Sequence, residues 1–389
     1  MRIESRTRAA LQYALMFMGT GVSLPYAGLW MRAQGLSGAE IGVLLAAPML
    51  ARLITGPAIA VWADGFRFRR TPIALLAVAA ALGYGAAGLV EGFAAWAVCW
   101  FIGATSAAAL IPLTDVLTLR LARREAFTFA VPRGFGSAAF LITNIVVGFL
   151  LRLTGAEAVI VIVTLAYVGV AVAAWRVLPP EPFNDGAPLA GWERFRGLGR
   201  LLRQPVLMTA LMAIGAVQAA RAFYYGFSAI LWRAQGIESS TTGLLWAFAV
   251  VIEIGFMWAV DPWRRRRGIG PETLLTVAAG AAVLRWTAMA AAPSLWLLWP
   301  LQALHALSFA ASYLAGVELI ERLAPRDSHT AAQTLNSMLS AGVLIGLATL
   351  ASGPLYDAFG SGGYLAMAGL AGVGLLAVLS LKSRRTRSA

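Results

Sequence analysis

The chain has 389 residues, of which 59% are hydrophobic and 13% are charged, and its mean hydropathy is +0.74. Soluble domains are typically about 45–50% apolar and about 25% charged, so this composition excludes an ordinary soluble globular protein. A net charge of +13 would suit a nucleic-acid-binding surface, but the arginines fall in short clusters between long apolar segments, so we expect no nucleic-acid partner.

Twelve apolar segments are long enough to cross a bilayer of about 30 Å as helices. The first six lie at residues 9–31, 38–62, 72–90, 93–119, 127–150 and 157–176. The other six lie at residues 205–231, 239–261, 272–292, 294–320, 330–355 and 362–381. The chain is therefore predicted to be an all-α membrane protein with twelve transmembrane helices.

The longest polar stretch separates the two sets of six segments and contains four prolines. Polar, proline-rich segments are typical of linkers between packed units. We therefore predict an N-terminal six-helix bundle at residues 1–176, a cytoplasmic linker at residues 177–204 and a C-terminal six-helix bundle at residues 205–389.

The basic residues predict the orientation of the chain in the membrane. With a cytoplasmic N-terminus, 24 of the 31 lysines and arginines fall in cytoplasmic segments, and only Arg32, Arg152 and Arg233 fall on the other side. We therefore expect a multi-pass protein of the cell inner (plasma) membrane, with both termini cytoplasmic and the lipid bilayer as a partner. We expect it to act as a monomer.

The two halves of the chain repeat each other. Residues 29–36 (LWMRAQGL) match residues 230–237 (ILWRAQGI) at an offset of 201 residues, and Gly42 matches Gly243 at the same offset. A parallel repeat of six plus six helices resembles the major facilitator transporters, in which the substrate binds between the halves near the middle of the membrane. This resemblance implies the major facilitator fold.

A loop motif supports the resemblance. Residues 64–70 (DGFRFRR) resemble the major facilitator motif Gly-x-x-x-Asp-Arg-x-Gly-Arg-Arg, although Ala60 stands at its first glycine. An equivalent aspartate and arginine cluster follow the second span of the second half. We expect these four residues to form cytoplasmic gating loops that pair charges when that side is closed: Asp64, Arg67, Asp261 and Arg264.

Longer stretches resemble the 3-phenylpropionate transporter-like branch of this superfamily. They are residues 133–137 with Phe140, 243–247 with Glu253, 284–286, 304–309 and 353–357. That branch is related to lactose permease and to nucleoside–proton symporters, which implies movement of a small solute together with protons. The resemblance does not define the substrate.

The relation to lactose permease also implies a coupling site. In that protein a glutamate, an arginine and a histidine lie on spans 8, 9 and 10, and Glu253, Arg285 and His305 occupy those spans here. The carboxylate expected about one turn after the histidine is absent, since Glu318 lies thirteen residues beyond His305.

Ionisable side chains in the middle of a span cost ~2.5–3.5 kcal/mol, so each needs a partner, a water-filled cavity or a function. Glu253 lies about 21 Å from the outer end of its span and about 12 Å from the inner end, too deep for a short carboxylate to reach water. We predict that Glu253 and His305 carry out proton coupling. The alternatives are a permanent structural salt bridge for Glu253 and a neutral packing role for His305.

Arginines supply the predicted contacts to the substrate, because a guanidinium can bind a carboxylate through two parallel hydrogen bonds. Gln218, Arg221 and Tyr225 are spaced i, i+3, i+7 and so share one helix face, although ordinary helix packing would also explain them. Arg285 lies on span 9, and Arg52 matches Glu253 at the repeat offset. We predict that the substrate is bound by Gln218, Arg221, Tyr225, Arg285 and Arg52.

Two further features have mainly structural interpretations. Asp115 and Arg133 flank the short loop between spans 4 and 5, so we predict that they form an interhelical charge pair. Trp30 and Trp232 fall at span ends, so we expect them in the aromatic belt at the membrane interface.

These residues predict a secondary active transporter that moves a small organic solute, an aromatic or other carboxylate, with protons by alternating access. Four arginines within spans against one deep glutamate favour an anion. A sugar or nucleoside proton symporter, or an exporter of an anionic compound, is the alternative. An enzyme would need a nucleophile–base set or a metal cluster, and a sensor would need a soluble signalling domain. With one cysteine and two histidines, we expect no cofactor and no metal ion.

Overall fold

A computed structural model describes residues 4–182, 198–325 and 328–388. Most of the predicted linker, residues 183–197, lies outside these ranges. The described chain is helical, apart from turns and one isolated antiparallel bridge between Phe68 and Pro182.

Long helices α1 to α6 form the described part of the chain before the linker. Their bounds are α1 Ser5–Ala33, α2 Gly38–Asp64, α3 Arg70–Ala87, α4 Phe93–Arg124, α5 Ala130–Thr154 and α6 Ala158–Arg176. Each coincides with one of the first six predicted spans, and the longest, α4, extends beyond its apolar segment to Arg124.

The helices after the linker are interrupted more often. They are α7 Leu198–Leu202, α8 Pro205–Ala219, α9 Ala222–Ala234, α10 Ser239–Gly255, α11 Asp261–Arg266, α12 Pro271–Ala290, α13 Leu295–Ala303, α14 Ser312–Leu323, α15 His329–Met338, α16 Ile345–Phe359 and α17 Tyr364–Ser388. Short π-helical turns join some of them, at Phe256–Val260, Ala306–Ala311 and Leu339–Leu344, and a 3₁₀ turn lies at Gly360–Gly363.

By length and composition, ten stretches of the described helices can cross a membrane. One of them, Ala331–Ser383, has 53 residues and contains the last two predicted spans, and α1 is not among the ten. The described helices nevertheless follow all twelve predicted spans in order, since pairs such as α8 with α9 make one span.

The segments that repeat in the sequence end two helices, α1 and α9, in the same way. Gly35 after α1 and Gly236 after α9 have φ of 85° and 80°, a left-handed conformation that glycine adopts without strain. In both places the next residue bonds back into the helix, Leu36 N–H to Met31 O and Ile237 N–H to Trp232 O. This is the hydrogen-bond pattern of a Schellman motif. The glycine of the Arg-Ala-Gln-Gly run therefore ends a helix in the same way in both halves.

Contacts within the chain divide it into two compact units. Unit 1 comprises residues 1–36, 51–188 and 238–244, and unit 2 comprises residues 37–50, 189–237 and 245–389. The first turns of α2 therefore pack within unit 2, although α2 belongs to the first half by sequence.

A carboxylate side chain caps the N-terminus of α2. The Asp357 carboxylate, in α16, accepts hydrogen bonds from the backbone N–H groups of Gly38 and Ala39, both at 2.8 Å. A Cβ at Gly353 would collide with the Gly38 carbonyl oxygen, so only glycine permits this approach. The aspartate thus satisfies two of the N–H groups that a helix start leaves without intrahelical partners.

The two tryptophans predicted for the interfacial belt are instead buried. Trp30 and Trp232 are each only 2% exposed. Trp30 stacks on Trp100 with ring centroids 6.2 Å apart, and Trp232 packs edge-on against Tyr224 at 6.0 Å. The prediction was wrong because position at a span end does not determine which side of a helix faces its neighbours.

Candidate functional site

The most deeply buried cation among the described residues of unit 2 is Arg285, in α12, with no exposed surface. Its guanidinium lies 3.0 Å from His305 Nδ1 and donates hydrogen bonds to Gln302 Oε1 at 2.5 Å and Ser308 Oγ at 3.2 Å. All three partners are neutral or able to be neutral. Among the described residues, no carboxylate lies within ion-pair distance of Arg285.

Two aromatic rings pack against this guanidinium. Its central carbon lies 4.9 Å from the ring centre of Tyr224 and 4.5 Å from that of Trp286. The Tyr224 hydroxyl accepts a hydrogen bond from Gln302 Nε2 at 2.8 Å, and the Tyr224 ring stacks on Trp246 at 4.7 Å. Cation–π contacts of this kind favour a desolvated arginine without neutralising its charge.

His305 connects Arg285 to Glu253. Its Nδ1 faces the arginine, and its Nε2 lies 3.6 Å from Glu253 Oε2. Because Arg285 can only donate, Nδ1 acts as the acceptor, and the proton of a neutral His305 ring is on Nε2, toward Glu253. The arrangement is therefore a chain Arg285–His305–Glu253, with no direct contact between the arginine and the glutamate.

The helices that carry these residues are irregular where the residues lie. The π-helical turn at Ala306–Ala311 begins directly after His305, and another at Phe256–Val260 begins three residues after Glu253. Such turns are frequent at functional sites, because an extra residue per turn redirects side chains. His305 and Ser308 contact Arg285 from the same helix.

The predicted stripe of Gln218, Arg221 and Tyr225 lies at a helix break. The helix α8 ends at Ala219 and α9 begins at Ala222, so Arg221 stands between them. Its guanidinium donates a short hydrogen bond to the Gln218 side-chain oxygen and lies over the Tyr225 ring at 5.6 Å. Discontinuous transmembrane helices commonly form substrate sites, because they free backbone and side-chain groups inside the membrane.

Arg221 and Arg285 differ in how much of their surface is exposed. Arg285 is fully buried, whereas Arg221, Tyr225 and Glu253 are each only partly buried. Arg221 also lies 4.6 Å from the Phe309 ring centre. Arg221, Tyr225 and Glu253 thus keep some accessible surface, and Arg285 keeps none.

Several buried donors around the cluster have no hydrogen-bond partner within the described residues. They are the Nε atoms of Arg221 and Arg285, the indole nitrogens of Trp246 and Trp286, and the Tyr364 hydroxyl. Buried donors without partners are rare, because each costs about 1–3 kcal/mol.

Three other predicted residues belong to unit 1. Arg52, in α2, is exposed. Arg133 Nε lies 3.9 Å from Asp115 Oδ1, and the Tyr13 hydroxyl donates to the same carboxylate at 2.6 Å. The Arg133 guanidinium also covers the Phe17 ring at 4.6 Å.

The two predicted gating loops differ. The Asp261 carboxylate accepts hydrogen bonds from Arg264 at 2.6 Å and from Arg265 at 2.8 Å, and Glu318 also pairs with both arginines. In the first half, Asp64 is exposed and has no hydrogen bond or ion pair with other described residues. Arg67 is also exposed and lies over the Phe68 ring at 5.1 Å.

Sequence reasoning did not single out Gln302, Ser308 or Tyr224 as site residues. The first two had a usable signal, because they lie three residues before and after His305 and so share its helix face. Tyr224 had none, since it lies beside the predicted stripe rather than on it.

Comparison with known proteins agrees with this architecture. Residues 7–365 match the MFS_1 like family. A probable 3-phenylpropionic acid transporter of Escherichia coli (strain K12) is 29% identical over 373 residues, covering 95% of this chain and 96% of that one. A maltose permease of Geobacillus stearothermophilus is 28% identical, covering 99% of this chain and 96% of that one.

Solved structures show the same fold. The crystal structure of the nucleoside transporter NupG has a TM-score of 0.83 at 16% identity and covers 97% of this chain and 99% of that chain. A D-xylose–proton symporter has a TM-score of 0.67 at 14% identity, with 97% and 96% covered. The chain belongs to the MFS_1 like family and is therefore a multi-pass secondary transporter of the major facilitator superfamily that binds a small-molecule substrate, not an enzyme.

Proposed function

We propose that this transporter moves a small organic carboxylate, preferably one with an aromatic ring, together with a proton. The observation that carries the proposal is the pair of guanidinium groups in unit 2, Arg221 and Arg285, whose hydrogen-bond partners among the described residues are uncharged side chains. A buried cation without a carboxylate partner is strongly unfavourable, and an anionic ligand would relieve that cost.

Binding begins at the accessible part of the cluster. The substrate carboxylate approaches Arg221, which is partly exposed, and lies in the field of Arg285 behind it. Coulomb interactions act over several ångströms in a low-dielectric interior, so Arg285 contributes even without direct contact. Tyr225 and Phe309, which flank Arg221, offer ring faces for an aromatic substrate.

Proton coupling follows from the chain Arg285–His305–Glu253. While the arginines have no anionic ligand, Glu253 remains ionised as the carboxylate nearest to them. When the substrate carboxylate takes up their charge, Glu253 binds a proton. Substrate and proton then favour each other's binding, and such coupling is reciprocal.

The relatives support both the proposal and its alternative. The E. coli relative is named for 3-phenylpropionic acid, an aromatic carboxylate, which suits two arginines among aromatic rings. The Geobacillus relative is named for maltose, an uncharged sugar. The amide group of Gln218 and the hydroxyl group of the partly exposed Tyr225 favour a sugar or a nucleoside as the second candidate, and export of an anion by the same cluster is a third.

We also propose how the chain is oriented in the membrane and how it is divided into bundles. The excess of basic residues in alternate loops supports cytoplasmic termini and insertion in the cell inner membrane. The proline-rich segment at residues 177–204 supports two bundles, at residues 1–176 and 205–389, joined by a cytoplasmic linker. We propose that the protein acts as a monomer.

Uptake by proteoliposomes tests the proposal. Vesicles with an alkaline interior that contain the protein should take up labelled 3-phenylpropionate faster than protein-free vesicles, and this difference should shrink when the pH gradient is collapsed. Maltose and uridine serve as probes for the second candidate. Accumulation of maltose or uridine, with no uptake of 3-phenylpropionate or other arylalkanoates, would overturn the assignment of substrate class.

A further inference from the structure

We propose that Gln302 is a positioning residue that sets the charge selectivity of the site. Its neutral amide holds the Arg285 guanidinium in place without cancelling its charge, so that the site selects anions over neutral molecules of the same shape. This inference rests on the proposed function, because it assigns the origin of anion selectivity within the same site.

The geometry of Gln302 fits this role. The residue is fully buried, accepts a hydrogen bond from Arg285 through Oε1 at 2.5 Å and donates one to the Tyr224 hydroxyl through Nε2 at 2.8 Å. It therefore joins the arginine to the ring that covers it. Both amide atoms are used, so the side chain has one defined orientation.

A second buried arginine of unit 2 provides the contrast. Arg264 is 3% exposed and pairs with two carboxylates, those of Asp261 and Glu318. Arg285 is 0% exposed, and an amide stands where Arg264 has a carboxylate. Because a buried charge is stabilised mainly by an opposite one, the amide at position 302 keeps a cation unpaired at a cost in stability. Such a cost indicates a functional constraint on the residue.

The substitution Gln302→Glu would keep both hydrogen-bonded contacts, with the one to Tyr224 reversed in direction, and would add a negative charge. Glutamine and glutamate have nearly the same shape, and the introduced carboxylate could accept from both Arg285 and the Tyr224 hydroxyl, which rotates to donate. The added negative charge would cancel the field of Arg285 at the substrate carboxylate. Two unit charges a few ångströms apart in a partly buried site change an anion's affinity by about 100-fold.

The experiment compares an anion with its neutral isostere. Binding of 3-phenylpropionate and of 3-phenylpropanamide to the purified full-length protein is measured by isothermal titration calorimetry for wild type, Gln302→Glu and Gln302→Met. Wild type should prefer the anion. In Gln302→Glu that preference should fall by about 100-fold while affinity for the amide stays within about threefold.

The Gln302→Met variant separates positioning from charge and remains informative if the glutamate variant does not fold. It removes both hydrogen bonds but leaves Arg285 without a carboxylate. We expect its affinity for the anion to be several-fold lower than that of wild type while its affinity for the amide stays within about threefold, so the preference for the anion falls, but less than in Gln302→Glu. Unchanged anion affinity in Gln302→Met would overturn the positioning role.

The outcomes distinguish this inference from the proposed function. If wild type binds 3-phenylpropionate in an Arg285-dependent way and Gln302→Glu keeps the wild-type ratio of anion to amide affinity, the inference is overturned and the proposed function stands. If wild type binds no arylalkanoate, both are overturned. A merely structural role for Gln302 would change the two affinities together rather than their ratio.

Discussion

The two halves of this chain share one helical pattern, yet they hold their intramembrane arginines in different ways. In unit 1, Arg133 is about one third exposed and has the Asp115 carboxylate 3.9 Å away. In unit 2, Arg285 is buried among Gln302, His305 and Ser308, none of which is a carboxylate. Both arginines lie over aromatic rings, so aromatic packing does not separate them. The proposed anion recognition is therefore assigned to unit 2, where Arg285 has no carboxylate partner among the described residues.

At equivalent positions of the repeat, the residue of the second half is again the more buried one. Arg52 and Glu253 match at the repeat offset, but Arg52 is exposed and Glu253 faces His305 within the cluster. Asp64 is exposed, whereas Asp261 is buried and paired with two arginines. A repeated helix pattern therefore does not imply a repeated site.

The largest effect is expected from Glu253→Gln, which removes the proposed proton site and keeps the side-chain shape. With one proton per anion, a one-unit pH gradient supports about a tenfold accumulation ratio in wild type. The variant should exchange labelled for unlabelled 3-phenylpropionate but should accumulate it no faster than protein-free vesicles do. Its control is exchange without a gradient, which should stay close to wild type. Uphill accumulation like that of wild type would move the coupling proton to His305 or Glu318.

Replacement of Arg285 by lysine should have the next largest effect. A lysine keeps the charge but cannot reproduce the three directed contacts to Gln302, His305 and Ser308. We expect 3-phenylpropionate affinity to fall by about 10- to 100-fold, measured by titration calorimetry. Arg221→Lys is the matched variant at the partly exposed arginine. If only Arg221→Lys weakens binding, Arg285 does not contribute to anion recognition.

More of the fold than of the candidate site could be predicted from the sequence. The positions of the helices followed from long apolar segments, because a bilayer leaves few alternatives to membrane-spanning helices. Glu253, Arg285 and His305 were singled out because ionisable groups are rare in spans. The contacts that join them through His305 were not predictable, because they depend on how the helices pack against one another. The burial of Trp30 and Trp232 was missed for a related reason, since it depends on the rotation of each helix against its neighbours.

The predicted gating loops of the two halves should also differ in how much they contribute to protein stability, which is a smaller effect. Asp261→Asn removes one of the two carboxylates on buried Arg264, so we expect a loss of about 2–3 kcal/mol and a clear fall in melting temperature. The matched variant Asp64→Asn changes an exposed side chain and should leave stability within about 0.5 kcal/mol. It should nevertheless slow transport with little loss of affinity, as proposed for a gating residue. Equal destabilisation by the two variants would contradict the asymmetry.

The smallest effect is expected in unit 1. Asp115 and Arg133 are both about one third exposed and 3.9 Å apart, and pairs of this kind contribute about 0–1 kcal/mol. Asp115→Asn should therefore change 3-phenylpropionate affinity by no more than about threefold in titration calorimetry. A loss as large as that in Arg285→Lys would place anion recognition in unit 1 as well.

The most direct test of the central claim is the number of protons taken up when the substrate carboxylate binds. Purified wild-type protein in weakly buffered solution is mixed with 3-phenylpropionate, and the pH change is followed with an indicator dye. The account predicts uptake of about one proton per bound anion in wild type. It predicts no uptake in Glu253→Gln, although that variant still binds the anion. Binding of the anion to wild type without proton uptake would contradict the account.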